Sequence, residues 1–227
     1  MFEVKKNKIE YVWLDGYKPE PTLRWKIIIV DRDCVDVSEV PEWAFDGSST
    51  QQASGSSSDL ILKPVSLYKS PFESDQLVLC EVLNRDRTPH ESNARSKIRN
   101  TQVPEYWFGF EQEYTFIKDQ RPLGWPADGI PKPQGDYYCG VGRANKGRSV
   151  GDNRIGARMF TGRDIMQEHL NKCSEAGIRL HGTNAEVMLG QWEYQVFSKG
   201  SVRAADDAWM ARYILYRTAE KFGVDGN

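Results

Sequence analysis

No two of the four cysteines in this 227-residue sequence, Cys34, Cys80, Cys139 and Cys173, stand in C-x-x-C spacing. That argues against a disulfide framework or a thiolate zinc site and predicts reduced, core or near-core thiols in a cytoplasmic protein. Long apolar runs are missing too. The longest is Ile27 to Val30, and the opening "MFEVKKNKIEYVW" has no signal-peptide core, so neither a membrane span nor a leader is expected. Charge of one sign is concentrated nowhere: the formal net charge is −2 and Lys and Arg are spread along the chain, which argues against nucleic acid or an anionic membrane as partner. The three histidines, His90, His169 and His181, are scattered, and His169 falls on a helical apolar stripe where a structural role is expected. Glycine motifs for phosphate are incomplete. "GRANKGRS", Gly142 to Ser149, carries Arg148 where a P-loop needs Lys, "GVG" at Gly140 to Gly142 lacks a third glycine, and no G-x-S-x-G elbow occurs. What remains is small-molecule chemistry on an ordinary globular chain, 39% hydrophobic and 27% charged, with room for one or two domains.

Apolar and alternating runs predict strands at "IEYVWLD" and "LRWKIIIVD", joined by the turn-forming "GYKPEPT", and at "LILKPVSLY" and "QLVLCEVL". They imply a small, largely antiparallel sheet. Between them lies "FDGSSTQQASGSSSD", with Asp46 and Asp59 at its ends, whose composition alone reads as a flexible surface loop. Past "NRDRTPHESNARSK" strand and helix patterns alternate, so a boundary is placed near residue 88, giving domains over 8–87 and 88–227 and an α+β chain overall. A short helix is expected within Glu91 to Val103. "TGRDIMQEHLNKCSEAG" predicts a clearer one, with a stripe of Ile165, Met166, His169, Leu170 and Cys173 and a stop at Gly177. "DDAWMARYILYRTAEKFG" predicts another that starts on Asp206 and Asp207, whose charge suits a helix N-terminus.

Two segments place acids inside strand-like apolar runs. In "WFGFEQEYTF" residues two apart share a face, so Glu111, Glu113 and Thr115 point one way and Phe110, Gln112, Tyr114 and Phe116 the other. In "NAEVMLGQWEYQVF" the same period groups Asn184, Glu186 and Met188 on a first strand and Glu193, Gln195 and Phe197 on a second. Four converging carboxylates repel unless a positive charge sits among them, and oxygen-only ligands select a hard ion, Mg²⁺ or Mn²⁺, which commonly serves a phosphorylated substrate. The competing reading is a wet sheet face whose acids pair with Arg or Lys.

These stretches, with "WAFDGSST", "GSSSDLIL", "PFESDQLVLCEV", "GWPADGIPKPQGDYYCGVG", "GRDIMQEHLNKCSEAGI" and "DDAWMARYILYRTAEKFGV", resemble glutamine synthetase of the eukaryotic-like type II class, in order from about Tyr11 to Val224. The resemblance implies a β-grasp domain followed by an α/β catalytic domain, incomplete here, in which ATP phosphorylates the side chain of glutamate and ammonia displaces the phosphate. It implies Glu111, Glu113, Glu186 and Glu193 as ligands of Mg²⁺ or Mn²⁺, and Trp107, Glu193 and Gln195 at the nucleotide. Asp46, and with it Asp59, would bind ammonium and take its proton in a neighbouring subunit's site, within a homo-oligomer of two pentameric rings.

Two departures stand out. Arg143 to Thr161 reads as a surface insertion, and Leu189 replaces a usual Pro, which should alter one turn. The sequence also ends at "FGVDGN", before the family's later metal-binding His and Glu and its phosphate-holding arginines, so little activity is expected of this polypeptide alone. A non-catalytic homologue that binds nucleotide or metal and joins a synthetase ring is the alternative. A glycosidase with paired carboxylates ranks last, because acids two apart on one strand are too close and too parallel to flank a glycosidic bond.

Overall fold

The computed structural model describes residues 6–125, 137–140 and 161–227. The chain divides into two compact units. The first comprises Met1–Tyr106 with Glu175–Gly177 and Lys199–Asp206, and the second Trp107–Ser174, Ile178–Ser198 and Asp207–Asn227.

The first unit is built on β1 (Asn7–Leu14), β2 (Leu23–Val30), β3 (Trp43–Asp46), β4 (Asp59–Lys69) and β5 (Gln76–Leu83). They form one sheet in the order β2-β1-β5-β4-β3. The β1–β2 hairpin is antiparallel as its sequence pattern requires, and β3–β4 and β4–β5 are antiparallel as well. The central β1–β5 pair is parallel. Period 2 explains the core: Ile9, Tyr11 and Trp13 of β1 stand with Val78, Cys80 and Val82 of β5 and Leu60 and Leu62 of β4 in one buried cluster. The opposite face of β5 carries the buried Glu81, which receives Arg99 at 2.9 Å and lies 4.0 Å from Arg95, both on α1 (Ala94–Asn100). Helix α1 starts at its N-cap Asn93, whose Oδ1 accepts from the backbone N–H of Ser96 and whose amide donates to the Val82 carbonyl. Asn93 is buried, so Asn93→Ala removes a cap and leaves the Val82 carbonyl with the His90 N–H in place of two donors. A loss of about 1–2 kcal/mol is expected, visible as a lower urea midpoint at unchanged slope.

The serine-rich segment is not the slack loop its composition suggested. Gly47–Thr50 forms a 3-10 turn capped by Asp46, and Gln51 closes it in the left-handed region at φ 55°. Thr50 and Gln52 are buried.

The second unit contains β6 (Trp107–Lys118), β7 (Arg121–Pro122), β8 (Leu180–Ala185), β9 (Gln191–Lys199) and β10 (Asp225–Gly226). The sheet order is β10-β6-β9-β8, with β7 paired to β6. One face is apolar: Tyr114 and Phe116 of β6 and Trp192, Tyr194 and Val196 of β9 are all buried. Helix α2 (Arg163–Glu175) buries Ile165, Met166, His169 and Cys173, and Gly177 ends the segment at φ 77°. His169 donates from Nε2 to the Ala211 carbonyl at 3.0 Å and lies 5.0 Å from the Tyr194 ring; burial pushes its imidazole down to about 4, so it stays neutral at physiological pH. Its role is structural, as its stripe position predicts.

Helix α3 (Ser201–Lys221) begins five residues before the expected Asp206. Asp206 and Asp207 are fully inside it and buried. Their charges answer side chains instead of the helix N-terminus: Arg95 and Ser66 bond Asp206, and Ser198 bonds Asp207. No helix among the described residues is long and apolar enough to cross a membrane.

Candidate functional site

Strands β6, β9 and β8 present a second, polar face. On β6 it carries Trp107, Gly109, Glu111 and Glu113, and on β9 Gln191, Glu193, Gln195 and Phe197. Antiparallel register sets Asn184 opposite Glu193 and Gly182 opposite Gln195. Gly182 has a steric reason, because a Cβ there would lie 2.5 Å from Gln195 Oε1. Glu186 is not on a strand, contrary to its period-2 reading. Strand β8 ends at Ala185, and Glu186 opens the tight connection to β9, held by its N–H to the Gln191 carbonyl at 3.0 Å. Leu189 sits in this turn and its carbonyl accepts from the Trp125 indole at 3.0 Å. A proline there would keep that acceptor, so the departure at Leu189 is accommodated locally.

Burial divides the acids. Glu186 and Glu193 are 9% and 8% exposed, whereas Glu111 and Glu113 are exposed, so β6 does not drive its pair into core. Phe110 is 42% exposed, and on β6 the core begins only at Tyr114. The donors to these carboxylates are amides. Gln191 Nε2 reaches Glu113 at 2.6 Å, Asn184 Nδ2 reaches Glu186 at 2.8 Å, and Gln195 Nε2 bonds Glu193 while also reaching Asn184 Oδ1. Burial raises the proton affinity of the Glu186 carboxyl, and the charges of Glu113 and Glu193 raise it further. Three of the four predicted acids therefore share one electrostatic field, and nothing equivalent ties Glu111 to them. Tyr138 feels the same field: its hydroxyl is raised by Cys139 first and then by Glu186 and Glu193. Sequence reasoning missed Asn184 and Gln191 as partners, although Asn184 stands two residues before Glu186.

Among the described residues, no three His, Cys, Asp or Glu side chains stand close enough together to hold a metal ion as placed. The donor set nonetheless fits a hard divalent cation. It is anionic, oxygen-only, carried by adjacent strands and the β8–β9 connection and partly desolvated, and its mutual repulsion is the kind a cation relieves.

Trp107 is 54% exposed and stacks on Phe197 at 5.1 Å and 18°, while His181 lies 5.5 Å from the same Phe197 ring. Phe197 and His181 extend the aromatic surface beyond the predicted Trp107; Phe197 already followed Gln195 in the period-2 pattern, whereas His181, on β8, had no such signal.

In the first unit, Asp46 and Asp59 are directly opposed across β3 and β4, and both are exposed. Like charges in that arrangement repel. Hydrogen bonds from the Ser48 and Ser49 hydroxyls and the Ser48 N–H hold the Asp46 carboxyl down at about 2. Asp46 is therefore a fixed anion across the physiological range.

Two family models match the chain: "Glutamine synthetase, beta-Grasp domain" over residues 5–85 and "Glutamine synthetase, catalytic domain" over 92–226. The chain belongs to the glutamine synthetase family. The glutamine synthetase of Bradyrhizobium diazoefficiens is 51% identical over 223 residues, covering 97% of this chain and 61% of the relative. That of Rattus norvegicus is 44% identical over 229 residues, covering 97% of this chain and 57% of the relative. The chain thus spans about three fifths of the length of these curated glutamine synthetases. A solved structure titled "GmaS/ADP complex-Conformation 1" is alike in fold, with a TM-score of 0.65 at 17% identity over 96% of this chain and 48% of that one. The order of elements, a β-grasp sheet followed by part of a glutamine synthetase catalytic domain, is α+β as expected. The P-loop-like stretch and most of the Arg143 to Thr161 insertion lie outside the described residues.

Proposed function

We propose that this chain supplies part of the active site of an ATP-dependent glutamate–ammonia ligase, with the β-grasp domain over 8–87 and the catalytic part over 88–227. The observation that carries the reading is that Glu113 and Glu193 stand on one face of the neighbouring strands β6 and β9, with the buried Glu186 in the β8–β9 connection close enough for both charges to raise its carboxyl. In the reaction, the γ-phosphoryl group of ATP passes to a side-chain carboxylate oxygen of glutamate, giving γ-glutamyl phosphate and ADP. Ammonia then attacks the acyl carbon, phosphate leaves, and the proton surplus of ammonium goes to a base.

Glu111, Glu113, Glu186 and Glu193 would hold Mg²⁺ or Mn²⁺, whose chemistry when bound is to offset charge on phosphate oxygens during in-line transfer. The sheet keeps Glu193 and Gln195 pre-positioned, because their amide partners fix the rotamers before substrate arrives. The exposed Trp107 face suits a nucleobase, and Gln195 and Glu193 lie on the same sheet face. Asp46 and Asp59 form the anionic pair for ammonium in the site of a neighbouring copy. The low proton affinity of Asp46 suits holding the cation better than taking its proton, so its first contribution is electrostatic binding.

Calorimetric titration with Mn²⁺ and ADP, together with an assay for ATP-, glutamate- and ammonium-dependent glutamine release by protein carrying this sequence and the remaining catalytic length of its relatives, tests the reading. Cation uptake and turnover requiring all three substrates are expected. A protein that takes up neither Mg²⁺ nor Mn²⁺ contradicts the assignment. Cation uptake without turnover favours the non-catalytic homologue.

A further inference from the structure

The loop between β3 and β4 owes its shape to a side chain outside it. His90 follows β5, with its backbone N–H on the Val82 carbonyl at 3.1 Å, and it is 9% exposed. Its Nε2 stands 2.6 Å from the Gln52 carbonyl oxygen, which can only accept, so Nε2 carries the proton. The other nitrogen, Nδ1, accepts from the Ser92 N–H at 3.1 Å, so the ring is held in one orientation.

From Gln52 the connections run directly to the turn that Asp46 caps. The Gln52 N–H reaches the Gly47 carbonyl at 2.8 Å. Its side-chain oxygen accepts from the Thr50 hydroxyl at 2.8 Å, and its amide donates to the Ser92 hydroxyl at 2.8 Å and the Leu14 carbonyl at 3.2 Å. Gly16 donates to the Thr50 carbonyl at 2.9 Å, and a Cβ on Gly16 would stand 2.3 Å from the Gln51 carbonyl oxygen, so the β1 end presses against the turn as only glycine allows. Asp46 itself is exposed, and its carboxylate is oriented chiefly by this turn, through the Ser48 N–H and the Ser48 and Ser49 hydroxyls, with a further hydrogen bond from Ser58 just before β4.

We infer that His90 is a positioning residue: its Nε2–H pins the Gln52 carbonyl and so fixes the Gly47–Thr50 turn on which the Asp46 carboxylate is oriented. Without that donor the buried carbonyl is left unpaired, and the turn keeps only the Gln52 amide bond to the Ser92 hydroxyl as its tie to the segment after β5. The catalytic consequence, a misplaced ammonium-binding carboxylate, rests on the proposed role of Asp46; the structural coupling does not.

Two readouts separate these. Carboxyl ¹³C titration by NMR of the full chain follows Asp46 directly, and Asp36, which caps the separate 3-10 turn Val37–Glu39 and is likewise held low by Ser38, reports whether the unit remains folded. In His90→Leu the Asp46 midpoint should rise from about 2 toward the ordinary value of about 3.9, while Asp36 stays low. An unmoved Asp46 overturns the inference. If both midpoints rise together the unit has lost its fold, and His90→Phe then decides, since a ring of similar size fills the buried space without the Nε2–H donor: Asp46 must rise alone, and an unchanged Asp46 again overturns the coupling. In the catalytically competent protein, His90→Leu should raise KM for ammonium on the order of tenfold and leave KM for ATP unchanged. An NMR shift with no change in ammonium KM refutes the role given to Asp46 and leaves the latch standing.

Discussion

Glu193→Ala is expected to abolish divalent-cation uptake and, in a competent ligase, to lower kcat by a factor on the order of 10³ or more, the scale seen when a preorganised charge is removed from a transition state. Glu193 is the best-placed of the candidate ligands. It is buried, it stands mid-strand on β9, it is oriented by Gln195, and it adds to the field that raises Glu186. A flexible surface carboxylate would spend conformational entropy on binding, whereas this one is already fixed. Glu193→Gln sharpens the test. It keeps the volume and an acceptor for the Gln195 amide, so the strand survives, but it removes the charge. Calorimetry with Mn²⁺ should show the same loss for Gln as for Ala; undiminished uptake by the Gln variant would refute the metal assignment. Glu111→Ala, at an exposed position without a demonstrated tie to the other acids, asks whether the fourth ligand implied by family resemblance belongs to the same centre.

The elements legible in the sequence were those whose information is local. The β1–β2 hairpin is announced by alternating apolar residues around a Pro and Gly turn, and α2 by the stripe from Ile165 to Cys173 with Gly177 behind it. The common face of Glu111 and Glu113 on β6, and of Glu193 and Gln195 on β9, was legible for the same reason, since two-residue spacing on a strand needs no knowledge of the rest of the fold. The failures are non-local. Asp206 and Asp207 look like N-terminal acids of a helix because the partners that hold them inside it are remote: Arg95 is 111 residues away from Asp206 and Ser66 is 140. The serine-rich loop looked slack because its anchor, His90, lies 38 residues beyond Gln52. The alternation that continues through Met188 predicts a strand at Glu186, but the backbone turns at once after Ala185 to set Trp192 opposite it. Composition cannot record a bond to a residue far along the chain.

Arg95→Ala carries the largest expected effect on stability. Arg95 lies between two buried carboxylates, giving Nε to Asp206 Oδ1 at 2.8 Å and Nη2 to Asp206 Oδ2 at 3.0 Å, with Glu81 4.0 Å away. Burial alone would lower its proton affinity; the hydrogen bond to Asp206 and the charges of Asp206 and Glu81 more than offset this, so the guanidinium stays charged. The two acids are not equally exposed to its loss. Glu81 keeps Arg99 at 2.9 Å and Lys63 at 3.7 Å, whereas the donor remaining to Asp206 in this cluster is the Ser66 hydroxyl. Truncation should therefore cost about 3–5 kcal/mol, the usual penalty for leaving one buried charge without its partner, and most of it should be charged to Asp206. A double-mutant cycle distinguishes this from lost packing. If the uncompensated carboxylate is the cause, Asp206→Leu in the Arg95→Met background should recover most of the loss in urea denaturation, because an apolar pair of similar volume has no desolvated charge to satisfy. If instead Arg95→Ala lowers the unfolding free energy by less than about 1 kcal/mol, the network is solvated in the manner of a surface ion pair, and it cannot be what holds the first turns of α3 to the sheet.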